Sequence, residues 1–176
     1  RAELTFSIRD WLGDVRAQAD LGGGALMDAG CYCVSAVRFV LNAEPVAAQA
    51  FQHVRNGVDA TLSGLLRFPG DSVAHIVTGM EEPFRCVLEV VGSHGAITVP
   101  NMFDEGADVH IAIGNDERVE RFSGPDRFQV QLERFSDCIL QGKVPEFPPE
   151  DGLKNVAALQ ALKQAADSGA LVEVKY

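Results

Sequence analysis

Between residues 46 and 122 the chain is cut into seven short runs, each long enough for a strand and too short for an ordinary helix. The runs cover 46–54, 60–68, 73–79, 85–91, 96–99, 107–113 and 117–122. Turn residues separate most of them: Asn56-Gly57, Pro69-Gly70-Asp71, Gly92-Ser93-His94-Gly95 and Gly114-Asn115. These residue types supply the positive or fixed φ that a tight reversal needs. Connections this short join antiparallel neighbours, because a parallel crossover takes about a dozen residues or more. An antiparallel meander is therefore predicted for the middle of the chain.

The flanks have other periods. Near the start, Leu4, Phe6 and Ile8 alternate, as in a strand. Residues 25–41 read as a helix, with Leu26, Ala29, Cys33, Val37 and Val40 on one side and Met27, Val34 and Phe39 elsewhere. A helix apolar on most sides is a buried one. Pro45 closes this segment. After the strands, Phe128, Leu132, Phe135 and Ile139 recur at helical spacing within 125–140, with Pro125 suited to a first turn and Gly142 to a stop. A last helix is predicted from Asp151, as its cap, to Ala165, with Ser168-Gly169 ending it and a short strand over 171–174. Segregated strands and helices give an α+β fold: an open, mainly antiparallel sheet with helices on one face. Strand residues 58–68 and 73–77 are apolar on both sides, so the outer sheet face is expected to meet a partner, most simply a second copy in a homodimer or tetramer.

A chain of 176 residues with a formal charge of −10 fits one domain. The acidic balance excludes nucleic acid and anionic membrane surfaces as partners. No unbroken apolar run approaches the roughly 18 residues of a membrane span. Residues 1–3 lead straight into a strand without a signal peptide, so a piece of a longer protein is expected. Cys31, Cys33, Cys86 and Cys138 form no C-x-x-C pair, and His53, His75, His94 and His110 share no metal-ligand spacing. The cysteines are expected as reduced, small core residues of a cytoplasmic protein, with no metal. Asp104, Glu105 and Asp108 lack an EF-hand pattern and are expected in a solvated loop; His94 is expected exposed in its turn.

Chemistry concentrates in Leu21-Gly22-Gly23-Gly24-Ala25-Leu26-Met27-Asp28-Ala29-Gly30-Cys31-Tyr32. Asp28 and Tyr32 lie four residues apart, on one helical face, and are polar on an otherwise apolar helix. Burying a carboxylate and a phenol costs several kcal/mol, roughly, unless they are paired or line a pocket. The glycines allow the backbone to approach a ligand, and the helix N-terminus favours negative charge. The alternative is a glycine turn, with Asp28 serving the first helical turn and Tyr32 a core aromatic.

That stretch, with Cys33, resembles the signature of the C-terminal domain of the Gfo/Idh/MocA oxidoreductases, in the branch of glucose–fructose oxidoreductase and dihydrodiol dehydrogenase. The segments 90–101, 128–135 and 151–172 resemble further parts of that domain. The resemblance implies that 1–176 is a substrate-binding and dimerisation domain. NAD or NADP would be held mainly by an N-terminal Rossmann domain, since this chain has neither a G-x-G-x-x-G after a strand nor a Glu-Lys-Pro. It implies catalytic roles for Tyr32, as acid/base, and Asp28, which would hold a substrate hydroxyl or position a lysine. Tyr32 would need a cation nearby, supplied by that lysine. The substrate it implies is a sugar, polyol or diol CH–OH group. Arg16, Gly23, Gly24 and Gln129 are candidate substrate contacts, Arg127 accompanies Gln129 on its helix, and Trp11 stands at the pocket mouth or on the sheet edge. The domain by itself is expected to be inactive. The competing reading is a non-enzymatic module that dimerises or binds a polyol without redox chemistry.

Overall fold

The computed structural model describes residues 1–11, 13–103 and 106–176. Nine strands form one sheet: β1 (Ala2–Ser7), β2 (Ala47–Arg55), β3 (Val58–Arg67), β4 (Val73–Gly79), β5 (Glu81–Gly92), β6 (Gly95–Pro100), β7 (Gly106–Ile113), β8 (Asp116–Ser123) and β9 (Val172–Glu173). Their order is β8-β7-β6-β5-β1-β4-β3-β2-β9. The single predicted meander is thus two, β2–β3–β4 and β5–β6–β7–β8, with β1 inserted between them, parallel to β4 and antiparallel to β5. Short-range turn signals cannot show this insertion, because β1 lies about seventy residues from its partners.

The β2–β3 turn is made by Asn56 and Gly57, both at positive φ, which matches the twist of a two-residue hairpin. Strand β5 starts four residues earlier than the sequence suggested, running through Pro83. Pro83 has no N–H to donate. The β1–β5 register shifts between Thr5 and Ser7, and the Thr5 hydroxyl donates to the Pro83 carbonyl at 2.8 Å.

The described residues also form three α-helices: α1 (Cys31–Leu41), α2 (Arg127–Gln141) and α3 (Pro149–Ser168). The helix predicted over 25–41 has two parts, a π turn at Leu26–Gly30 and then α1. Helices α1 and α3 cover one face of the sheet. Leu26, Val34, Leu62, Leu66, Ile76, Leu159 and Leu162 are buried between the layers. Gly64 has no room for a side chain, since Leu162 of α3 packs directly against it.

Helix α2 does not join this layer. It is capped by Asp126, not begun by Pro125: the Asp126 carboxylate accepts from the amides of Phe128 and Gln129. Its stripe of Phe128, Leu132, Phe135 and Ile139 is exposed. Helix α3 begins at Pro149 behind a cap residue, Pro148, that has no side-chain acceptor, so Asp151 lies inside its first turn and has another use. With Glu44 it receives the buried Arg38 guanidinium: Arg38 donates to Glu44 at 2.7 and 3.0 Å, to Asp151 at 2.8 Å and to Asn155 at 3.3 Å. Asn155 in turn donates to the Cys31 carbonyl at 3.1 Å. This network ties α1 to α3.

The stretch Ala19–Leu41 is long and apolar enough by composition to cross a membrane, although no unbroken apolar run had suggested a span. Half of its apolar window is packed inside the protein, and left-handed Gly22 interrupts it. It is the core helix with its approach turns. No disulfide joins the cysteines among the described residues; Cys33 and Cys86 are buried, and burial pushes the Cys33 thiol up to about 12. On the sheet face away from α1 and α3, Phe51, Leu65 and Val73 stand exposed.

Candidate active site

The site grows from the loop between β1 and the π turn. Asp14 accepts from the Arg16 amide at 2.9 Å and starts a short 3-10 turn, Val15–Ala17. The chain then doubles back through the glycines. Gly22 is left-handed. Gly23 lies so close to the Arg16 carbonyl that a side chain would overlap it. The Gly24 amide donates to that same carbonyl at 2.9 Å, and the Gly23 amide donates to Gln18 at 3.0 Å. These N–H groups are therefore engaged within the chain. Toward a ligand Gly23 and Gly24 present Cα surface rather than hydrogen-bond donors, so the turn does not build the phosphate cradle that free glycine amides would.

Beyond the turn, the Asp28 amide donates to the Gly24 carbonyl at 3.2 Å. Its carboxylate meets the Arg16 guanidinium, Nε to Oδ2, at 3.0 Å. Asp28 holds that guanidinium above its ordinary range, and the Arg16 group also lies 5.8 Å from the Phe6 ring at the end of β1. Segments of π-helix are often found at functional sites, where the wider turn re-aims a side chain. Here the π turn carries Asp28, and Gly30 within it allows close packing on Leu26 and Thr78.

Tyr32 follows in the first turn of α1. Its side chain is 52% exposed, and no described residue hydrogen-bonds its hydroxyl. The ring packs edge-on against Phe103 at 5.2 Å. Arg127, at the start of α2, donates to the Phe103 carbonyl and stacks on Phe128. The α2 N-terminus thus reaches Tyr32 through Phe103. Gln129 instead donates to Glu133 at 2.7 Å on its own helix, and no contact joins it to Asp28 or Tyr32. Trp11 lies under the Arg55 guanidinium at 4.3 Å and packs against the small cluster of Ala25, Val58 and Met80. Asp104 and Glu105 lie outside the described residues, while Asp108 pairs with Arg121 at 3.6 Å. Among the described residues no group of three His, Cys, Asp or Glu is placed to hold a metal ion.

One residue escaped the sequence analysis. Asp59 of β3 is 3% exposed, and its Oδ2 accepts from the Leu26 amide at 2.7 Å. Burial pushes its pKa up, and the Leu26 N–H works in the opposite direction. The signal was available: a carboxylate between Val58 and Ala60 in a buried strand needs a partner.

Residues 2–98 match the model of the GFO/IDH/MocA C-terminal domain. The chain belongs to that family. The Gfo/Idh/MocA domain described above is 28% identical to D-xylose 1-dehydrogenase (NADP(+)) 2 of Haloferax volcanii, over 98% of this chain and 55% of that protein. It is 29% identical to trans-1,2-dihydrobenzene-1,2-diol dehydrogenase of Xenopus laevis, over 71% of this chain and 41% of that protein. Among solved structures, aldose-aldose oxidoreductase from Caulobacter crescentus, complexed with glycerol, superposes with a TM-score of 0.89 at 26% identity, covering 98% of this chain and 54% of that one. A variant 3-ketoreductase from Actinomadura kijaniata, in complex with TDP-benzene and NADP, gives a TM-score of 0.86 at 27% identity, covering 93% and 52%. This Gfo/Idh/MocA domain spans about half the length of the curated relatives it matches.

Proposed function

We propose that residues 1–176 form the substrate-binding and dimerisation half of an NAD(P)-dependent oxidoreductase acting on a sugar, polyol or diol CH–OH group. The observation that carries this reading is the Arg16–Asp28 ion pair, with Asp28 four residues along the chain from an exposed Tyr32 whose hydroxyl no described residue bonds, on a domain whose relatives include a xylose dehydrogenase and a diol dehydrogenase. The bound nicotinamide would accept or donate the hydride. Tyr32 moves the proton at the substrate hydroxyl oxygen. Arg16 offsets the Asp28 charge, which would otherwise oppose ionisation of the phenol. The free oxygen of Asp28 orients a second substrate hydroxyl or a lysine from the other half of the enzyme.

Exposed apolar side chains on the π turn, α1 and α2 support a cofactor-binding Rossmann domain outside these residues. Met27, Tyr32 and Phe39 are exposed along the π turn and α1, Phe128, Leu132, Phe135 and Ile139 along α2. Apolar stripes of this extent usually meet another layer of protein. On the opposite side, Phe51, Leu65 and Val73 support a homodimer through the sheet. Cysteines that form no disulfide among the described residues support a cytoplasmic location.

The test is turnover by the full-length protein that carries this domain, with NAD and NADP, across aldoses, polyols and trans-diols. Tyr32→Phe is expected to lower kcat by about 10²-fold or more, the usual range for losing a general acid/base. Its cofactor KM should stay near that of the unsubstituted enzyme. Wild-type turnover in Tyr32→Phe would refute the assignment, and an unsubstituted protein that oxidises or reduces none of these substrates would refute the enzyme reading.

A further inference from the structure

We propose that Asp59 is a positioning residue that sets Asp28 against Arg16 by holding the Gly24–Leu26 backbone from beneath. The kinetic part rests on the dehydrogenase reading above. Asp59 touches neither side chain of the pair. One of its oxygens takes the Leu26 amide at 2.7 Å. The other occupies the space over Gly24 that a Cβ would fill. Gly24 is therefore required twice, by this close approach and by its φ of +124°.

Gly24 is also the joint between the two functional residues. Its N–H donates to the Arg16 carbonyl at 2.9 Å, and its carbonyl accepts from the Asp28 amide at 3.2 Å. The side chains of those same two residues then meet at 3.0 Å. A displacement of Gly24 moves both partners at once. No described cation pairs with Asp59, so the buried charge has no ion-pair role competing with this one. An asparagine there could accept the same amide hydrogen bond without the desolvation cost of a charge.

The experiment compares Asp59→Ala, Asp59→Asn and Gly24→Ala in the full-length protein, by amide hydrogen exchange and by steady-state kinetics. Asp59→Ala is expected to speed exchange at Leu26 and to lower kcat by about 10²-fold, the scale of a 1 Å misplacement. Asp59→Asn should recover most of that loss. Gly24→Ala presses on the same contact from the other side and should repeat the Asp59→Ala pattern, which guards against misfolding of one variant. The decisive comparison is made in an Asp28→Asn background. If Asp59 acts through Asp28, its removal there lowers kcat no further, whereas a general packing defect multiplies the two losses. Multiplied losses, or unchanged exchange at Leu26, would overturn the proposal. If the unsubstituted protein shows no turnover, the dehydrogenase reading fails instead. Leu26 exchange and the Arg16–Asp28 separation in crystals of Asp59→Ala then decide this one, an intact 3 Å pair overturning it.

Discussion

Replacing Arg38 with methionine keeps most of the side chain's volume and deletes its charge. The guanidinium, 5% exposed, makes three hydrogen bonds to carboxylates and one to an amide. Breaking a fully buried ion pair costs roughly 3–5 kcal/mol, mostly because the abandoned charge stays buried. Here the abandoned groups are partly wet: Glu44 is 31% and Asp151 38% exposed, and Lys154 still reaches Glu44 at 3.4 Å. The low end applies, about 3 kcal/mol, which corresponds to a fall of about 6–12 °C in unfolding midpoint for a chain of this size. The assay is thermal unfolding of both proteins across a pH series. Arg38 holds the Glu44 carboxyl below the usual glutamate range. Its stabilisation is therefore complete above the unfolded-state value, about 4.3, and disappears as pH falls through the lower folded value. The gap between the two proteins should be widest at neutral pH and narrow below about pH 4. Adding Glu44→Gln and Asp151→Asn to Arg38→Met should recover more than half of the loss, because no orphaned carboxylate remains. A neutral-pH gap under about 1 kcal/mol, or one that persists unchanged in acid, would refute the reasoning.

Two smaller experiments probe the core and the sheet. The Thr78 hydroxyl is fully buried and has no hydrogen-bond partner among the described residues, so the near-isosteric Thr78→Val should match the parent or gain about 1 kcal/mol in urea unfolding, and a clear loss would reveal an unseen partner. Leu65→Asp places a charge amid the exposed Phe51, Leu65 and Val73, and sedimentation should then report a monomer against the dimer proposed above for the parent; an unchanged oligomer would move the interface elsewhere.

Local features were legible in the sequence to the extent that their cause is local. Asn56-Gly57, Gly142 and Gly169 announce a turn and two helix ends because positive φ selects the residue type within a few positions. Helical spacing suggested one face for Asp28 and Tyr32, but Asp28 lies in the π turn ahead of α1, where it meets Arg16, while Tyr32 packs on Phe103. Three features had non-local causes. The place of β1 depends on pairing with residues 76–88, to which no turn signal points. Asp151 looked like a cap because its position fits one; it serves Arg38, whose demand comes from another helix. The glycine run suggested an open, ligand-facing backbone, yet its amides are drawn inward by the carbonyls of Gln18 and Arg16. A residue's availability to a ligand depends on what the rest of the chain has already claimed.

The insertion of β1 has a kinetic consequence. Each meander closes through contacts a few residues apart, which form early and with little entropic cost. Neither can be joined to the other until a six-residue segment finds partners on both sides, across a loop of about seventy residues. The slow step of assembling this sheet is then the arrival of one short strand between two edges that would otherwise lie open to wrong partners. Loss of such a strand would not trim the sheet at its margin. It would leave two half-sheets, each with an unpaired edge where the centre had been.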